Sequence, residues 1–451
     1  MRRERSFLML LVLGIALGAY IYFVERKRPA GDEAEQKPKV FDTLEADKIE
    51  ELTISSGGER THLKKTGGKW QIVESVAVDA DQTEVSGITS SLAGLERIEV
   101  ADEDPASLKE FGLDPPQADV RFRAQGSGST RQLLVGNKAP TGDGLYAKLA
   151  AEKRVFLIPS YLESSFARKT FDLRDKSVLK FDRDKVDTVD IQAAGHAVAL
   201  VHSPSEWRIT SPLKVRADFG AAESIVGRLA TAQMKSLVST GAPDAAALKK
   251  YGLETPTASV TIGTGSSRAS LRIGSADPEG NYYAQDASRP LVFTVEASLV
   301  DELKKPVGDL RRKDVFEFRP FNATHVEVTR NGQTHVFAKM KGSDPKVPTT
   351  EKWRQSAPKA RDVELSKMDA MLSSFSNLRA ESWAEKTDGL ALERPDVTFL
   401  VKFDEGKKQE RLTFSKQGND IYVSRADEPG AAKISSTDYG SAVRALDDLL
   451  K

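Results

Sequence analysis

Phe111-Gly112-Leu113-Asp114-Pro115-Pro116 returns 140 residues later as Tyr251-Gly252-Leu253-Glu254-Thr255-Pro256, and Asp388-Gly389-Leu390 with Pro395 is a third, weaker copy. An aromatic, a glycine, a leucine and a proline in that order stop a helix. The glycine takes the left-handed conformation, the leucine packs back on the last turn, and the proline prevents continuation. Working outward, Leu173-Arg174-Asp175-Lys176 recurs as Leu310-Arg311-Arg312-Lys313, an offset of 137. Trp70, Trp207 and Trp353 precede the helical stretches of successive copies. Repetition over such a distance is a signature of tandem architecture. It predicts three units, at 40–177, 178–314 and 315–451.

Each unit opens on two alternating runs about a glycine: Gly58, Gly195 and Gly332. That pattern predicts a hairpin. A third strand carries the tryptophan and ends near Pro212 or Pro358. Unit three has nine extra residues between Val326 and Trp353, placed in a surface loop around Gly342-Ser343-Asp344-Pro345. Next comes an aspartate (Asp81, Asp218 and Asp362) before a helix with one apolar face, as in Val85, Ile88, Leu92 and Leu95, or Leu365, Met368, Leu372 and Phe375. Helix capping explains the aspartates better than catalysis, and Asp81 with Glu84 has capping-box spacing. Asp104 is expected to cap the short helix before Gly112, with Pro105 at its first position, and Asp244 repeats that grammar. Four more strands follow, at 119–124, 132–135, 146–148 and 154–158 in unit one. An amphipathic helix closes each unit, at 160–166, 297–304 and 439–450. The fold class is therefore α+β: three tandem units, each a twisted, mostly antiparallel sheet covered by helices.

The chain has 451 residues, 66 basic against 66 acidic, 39% apolar and without cysteine. This is globular composition, and it excludes a disulfide scaffold, a thiolate metal site and a cysteine nucleophile. Nucleic acid is excluded as a partner because no basic footprint exists. Residues 7–24, FLMLLVLGIALGAYIYFV, carry no charge. At 1.5 Å per residue they span about 27 Å, near the thickness of a hydrocarbon core. The run is too long for a cleaved signal and leaves through bulky Tyr20, Tyr22 and Phe23. Residues 1–28 are thus read as a membrane anchor with a transmembrane helix at 7–24, and 29–39 as a linker. Arg2, Arg3, Arg5 and the free amino group, set against the acidic stretch after Arg28, favour an N-terminus in the cytoplasm and the body outside. Without residues 1–28 the chain holds 60 basic and 64 acidic residues, a mildly acidic body. Gly14 and Gly18 form a GxxxG pair, which permits close helix pairing in the membrane.

Chemistry is hard to find. His62, His196, His202, His325 and His335 form no HExxH and no close helical pair. Asp182-Arg183-Asp184-Lys185-Val186-Asp187 lacks the glycine and glutamate of a calcium loop. The glycine-rich stretches 126–129 and 263–267 join strands and lack a Walker lysine. No residue is assigned a catalytic, cofactor-binding or metal-ligating role, and no cofactor is expected. The three recurring tryptophans read as core. Trp383 stands outside their register, and is either core filling behind 376–378 or an exposed contact residue. Short, basic stretches at 168–179 and 306–315 join the units, so neighbouring units are expected to dock.

The opening Trp207, Pro212 and Ala217-Asp218, with the Phe111-Gly112-Leu113…Pro116 hinge, resemble a bacterial membrane-anchored family catalogued as domain of unknown function 4340. The resemblance covers residues 40–451 as tandem copies. The third hinge, Thr387-Asp388-Gly389-Leu390-Ala391-Leu392, departs from it by lacking the aromatic. The resemblance implies a cell-envelope component encoded beside ABC-type export genes of the gliding-motility kind, and it supplies no catalytic residues. The leading expectation is a non-enzymatic protein of the bacterial inner membrane, single-pass, with its body periplasmic. It would bind or position partners, ABC-type transporter subunits or other envelope proteins among them. The alternative is an envelope hydrolase acting on polysaccharide or peptide, with one repeat carrying the active site.

Overall fold

The computed structural model of the protein describes residues 38–73, 77–140, 142–340 and 352–451. The anchor at 7–24, its Gly14 and Gly18, most of the linker and the loop at 342–345 lie outside the described residues. Among the described residues no helix is long and apolar enough to cross a membrane.

Among the described residues there are three sheets of nine strands. The first holds β1 (Ile49–Ser56), β2 (Glu59–Thr66), β3 (Lys69–Ile72), β4 (Val78–Asp79), β5 (Glu99–Asp102), β6 (Ala118–Ala124), β7 (Arg131–Lys138), β8 (Gly144–Leu149) and β9 (Val155–Pro159). The second holds β10 (Thr188–Ala193), β11 (His196–His202), β12 (Trp207–Ser211), β13 (Val215–Arg216), β14 (Ser236–Ser239), β15 (Ala258–Thr264), β16 (Ser267–Ala276), β17 (Tyr282–Asp286) and β18 (Val292–Val295). The third holds β19 (Ala323–Arg330), β20 (Gln333–Met340), β21 (Lys352–Ala357), β22 (Arg361–Val363), β23 (Ala380–Ala384), β24 (Val397–Phe403), β25 (Lys408–Gln417), β26 (Asp420–Arg425) and β27 (Ala431–Ile434). The order in the first sheet is β4-β3-β2-β1-β6-β7-β8-β9-β5, and the other two copy it. The first sheet lies in one compact unit, Met1–Lys176, and the other two in a second, Ser177–Lys451.

Local sequence accounts for most of this. Each opening hairpin turns on two left-handed residues: Gly57 and Gly58 (φ 59° and 80°), Ala194 and Gly195 (51° and 78°), Asn331 and Gly332 (51° and 77°). That conformation matches the twist of the flanking strands. Trp70, Trp207 and Trp353 stand at the start of the third strand of their sheets, 4%, 1% and 2% exposed. In the third repeat Met368, Leu372 and Phe375 of one helix and Tyr439, Ala442 and Leu446 of another share a core with the strands. The hinge works as its sequence predicts. Gly112 and Gly252 are left-handed (φ 65° and 68°), and the amides of Leu113 and Leu253 donate back to Leu108 and Leu248. Each hinge carbonyl presses on a strand glycine: a Cβ on Gly136 would lie 2.1 Å from the Phe111 oxygen, and one on Gly274 2.0 Å from that of Tyr251. The third hinge falls two residues beyond Asp388-Gly389-Leu390: lying five residues before Pro395 and seven before β24, Leu390 takes the place of Phe111 and Tyr251, and left-handed Ala391 (φ 53°) that of the hinge glycine. There Ser415 replaces the strand glycine, and its hydroxyl donates to the Leu390 carbonyl at 2.6 Å.

Several expectations need correction. Asp81 and Asp218 cap their helices, Gln82–Ala93 and Phe219–Thr231. Asp362 does not: it lies in β22, and the cap of Leu365–Ser376 is Glu364, which makes no side-chain cap bond. The shift from Trp207 to Trp353 is 146, so Asp218 maps to Glu364. Glu84 completes no capping box; it pairs with Arg168 at 2.8 Å while the Asp81 amide donates to the Leu173 carbonyl. Leu365 is 41% exposed, being the first residue of its helix and off the buried stripe. Asp104 caps nothing, because the segment before Gly112 is only a short 3-10 turn, Lys109–Phe111; Asp244 does cap Ala245–Lys250. The sheets also gain two short strands apiece, β4 and β5 and their copies, where the sequence predicted seven strands.

Candidate functional site at the second junction

Within Ser177–Lys451 the second and third repeats meet along the connector after the helix Val307–Leu310. On one side the Asp218 amide donates to the Leu310 carbonyl (2.8 Å) and the Arg312 amide to that of Arg216 (3.0 Å). On the other, the Ala380 amide donates to Lys313 (2.7 Å) and the Val315 amide to Leu378 (3.2 Å). One extended stretch is thus bonded to two sheets.

Charge is buried where they meet. Glu428, in the loop before β27, accepts from the Arg216 amide at 3.0 Å and from its Nε at 2.7 Å. Both side chains are almost wholly buried, 3% and 4% exposed. Arg311, 2% exposed, places Nη2 3.8 Å from the other Glu428 oxygen and donates weakly to the Pro429 carbonyl. Two guanidiniums share one carboxylate, which leaves a positive surplus in a dry place. Trp383 offsets part of it: the Arg311 guanidinium lies 3.5 Å from its ring centroid, a cation–π contact. Burial, opposed by Glu428 and reinforced by Arg216, pulls the Arg311 pKa down to about 10. Beside this cluster is a cleft of about 230 Å³ bordered by Leu213, Asp309, Arg311, Glu381, Trp383 and Glu385. A second buried pair closes the lower end of the connector. Glu410 accepts from Arg425 Nη1 at 2.6 Å and from the Glu317 and Phe318 amides.

This geometry can hold two repeats in a fixed relation and present a small polar cleft. Its buried charges are matched to one another, Arg216 and Arg311 on Glu428 and Arg425 on Glu410, while Asp309, Glu381 and Glu385 line the cleft. Trp383 therefore combines two roles: it is half-buried against the third core, and it covers an arginine of the connector. The histidines stay apart. His196 Nε2 meets the Lys305 carbonyl, His202 stacks on Trp207 at 4.5 Å, His325 pairs with Glu327, and His335 lies against Gln355. Among the described residues no group of three His, Asp or Glu could hold a metal ion. The stretch from Asp182 is a capped turn, with Lys185 paired to Asp182. Sequence reasoning missed Arg216 and Glu428, which sit in no motif; Arg311 was visible in the repeated Leu-Arg-x-Lys.

A family model described as Domain of unknown function (DUF4340) matches the chain twice, over residues 70–206 and 207–395. None of the curated proteins matches. Among solved structures, the chain is similar to the DNA polymerase sliding clamp from Pseudomonas aeruginosa with ligand, at 10% identity, covering 88% of this chain and 93% of that one, with a TM-score of 0.16. It is also similar to MucB in complex with MucA(peri), at 9% identity over 89% and 92%, with a TM-score of 0.06. Neither overlay amounts to a shared fold.

Proposed function

From the premise that the chain belongs to the family of domain of unknown function 4340, we propose that it is a non-enzymatic, membrane-anchored adaptor of the bacterial envelope. Residues 7–24 would cross the inner membrane once, with the N-terminus cytoplasmic and the body periplasmic. Its partners would be subunits of an ABC-type exporter or other envelope proteins, and the body would bind or position them. The observation that carries this reading is the connector bonded to both sheets at the second junction. Tandem repeats fixed to one another offer extended surfaces suited to partners. The uncharged length of 7–24 and the arginines before it support the anchor.

Three measurements test it. Alkaline phosphatase fused after Lys451 should be active in cells, and β-galactosidase fused there inactive; the opposite pattern overturns the periplasmic placement. Cross-linking in intact cells followed by purification from solubilised membranes should recover envelope proteins. Hydrolysis of cell-wall polysaccharide or peptide by the purified chain would replace the adaptor with an enzyme.

A further inference from the structure

The same sheet edge occurs three times in this protein, and it is covered in two of them. In the first repeat the Asp81 amide donates to the Leu173 carbonyl (2.9 Å) and the Asp175 amide to that of Asp79 (3.0 Å), so Leu173-Arg174-Asp175 closes β4. In the second, Leu310-Arg311-Arg312 closes β13 in the same manner, with Arg216 and Ala217 3% and 5% exposed. In the third, β22 is paired on its inner side alone, Trp353 with Val363 and Gln355 with Arg361. Among the described residues no backbone group bonds its outer side. The Asp362 carbonyl and the Glu364 amide, counterparts of the Arg216 carbonyl and the Asp218 amide, have no partner there, and both residues are exposed.

We propose that the outer edge of β22 is a docking surface for an extended basic segment of a partner protein, of the Leu-Arg-x-Lys kind, added as one more antiparallel strand. The chain supplies the precedent twice, because both covering segments are of this kind and both lie on this edge. Charge selects the same occupant. Where the second repeat has Arg216, matched by Glu428, the third has Asp362, with Glu364 two residues on; a complementary side chain is therefore cationic. Short strands and edge charges protect a sheet against indiscriminate pairing. Asp362 on the strand and Glu364 just beyond it repel acidic strands and favour basic ones. Backbone bonds supply the affinity of such an addition and side chains its selectivity.

The inference rests on reading the chain as an adaptor, and it names the face and the class of partner. The probe is a fluorescent peptide with the sequence of residues 308–316, Gly-Asp-Leu-Arg-Arg-Lys-Asp-Val-Phe, added to the detergent-solubilised full chain and followed by anisotropy. Saturable binding is expected. Glu364→Pro removes one N–H at a residue whose φ of −64° already suits proline. It should weaken binding about tenfold without lowering the melting temperature. A peptide with its three basic residues changed to glutamate should bind at least about tenfold more weakly. If Glu364→Pro does lower the melting temperature, the exposed Asp362→Lys carries the same expectation. Absence of saturation, or equal affinity for the charge-reversed peptide or for these variants, overturns the proposal. The readout is independent of topology, so a cytoplasmic body would sink the envelope reading and leave this edge standing.

Discussion

Strands β13 and β22 are one strand in two copies of a unit. Each follows a cis X-Pro bond, at Pro212 and Pro358, pairs with the strand that carries Trp207 or Trp353, and leads into the repeat's long helix. Yet Arg216 is buried and bonded to Glu428, whereas its counterpart Asp362 is exposed. The difference lies outside the strand. A connector lies on β13 and the third repeat brings a carboxylate to it, while among the described residues β22 has neither. Burial of an edge is thus decided by connectivity, and residue type follows: a fully buried arginine is tolerable only because a distant residue neutralises it.

The sharpest way to break this comparison is to mutate both positions. Glu428→Ala leaves two buried guanidiniums uncompensated and should cost about 3–5 kcal/mol. Asp362→Ala should stay within about 0.5 kcal/mol. Denaturant unfolding of the solubilised chain, followed by tryptophan fluorescence, measures both; similar losses would mean that the two sites are not different environments. The hinges offer a second contrast. Gly274→Ala drives a methyl into the Tyr251 carbonyl and should cost about 2–3 kcal/mol. Ser415→Ala removes one hydrogen bond from the Leu390 carbonyl, about 1 kcal/mol. Caps give a third: Asp218→Ala should lose about 1 kcal/mol, and Glu364→Ala, which removes no cap bond, a few tenths at most.

Which of these contrasts could be read in advance depends on the range of the interaction. The hairpin glycines, the tryptophans, the hinge glycines Gly112 and Gly252 and the caps at Asp81 and Asp218 are local signals, and each stands in its expected element. The third hinge stands two residues beyond its expected place, at Ala391 instead of Gly389. The third repeat's cap was misplaced by two residues, although the Trp207 to Trp353 shift carries the correct register. The strands β4, β13 and β22 have two or three residues each, too short for alternation to register. The Arg216–Glu428 pair joins residues 212 apart and has no local signature at all. The serine that meets the third hinge, Ser415, lies 25 residues beyond Leu390 and so outside any local motif.

A smaller effect should separate the third repeat from the others by pH. His335 occupies the position of Thr61 and Val198, opposite Val328 as those are opposite Ile54 and Ile191. Burial, and then the nearby Arg361 guanidinium, hold its pKa below the ordinary 6.5. The unfolded chain therefore takes up this proton at a higher pH than the folded one. Its contribution to stability is complete above pH 6.5 and is lost as the pH falls toward the lower folded value. His335→Gln should flatten the decline in stability between neutral and mildly acid pH. An unchanged slope would place the titrating group elsewhere.

The most direct test of the covered and open edges is amide hydrogen exchange resolved at Asp218 and Glu364. The first amide donates to the Leu310 carbonyl at 2.8 Å and the second has no partner among the described residues. The account predicts slow exchange at Asp218, close to that of the β12 amides, and nearly unprotected exchange at Glu364. Equal protection at the two positions would contradict it.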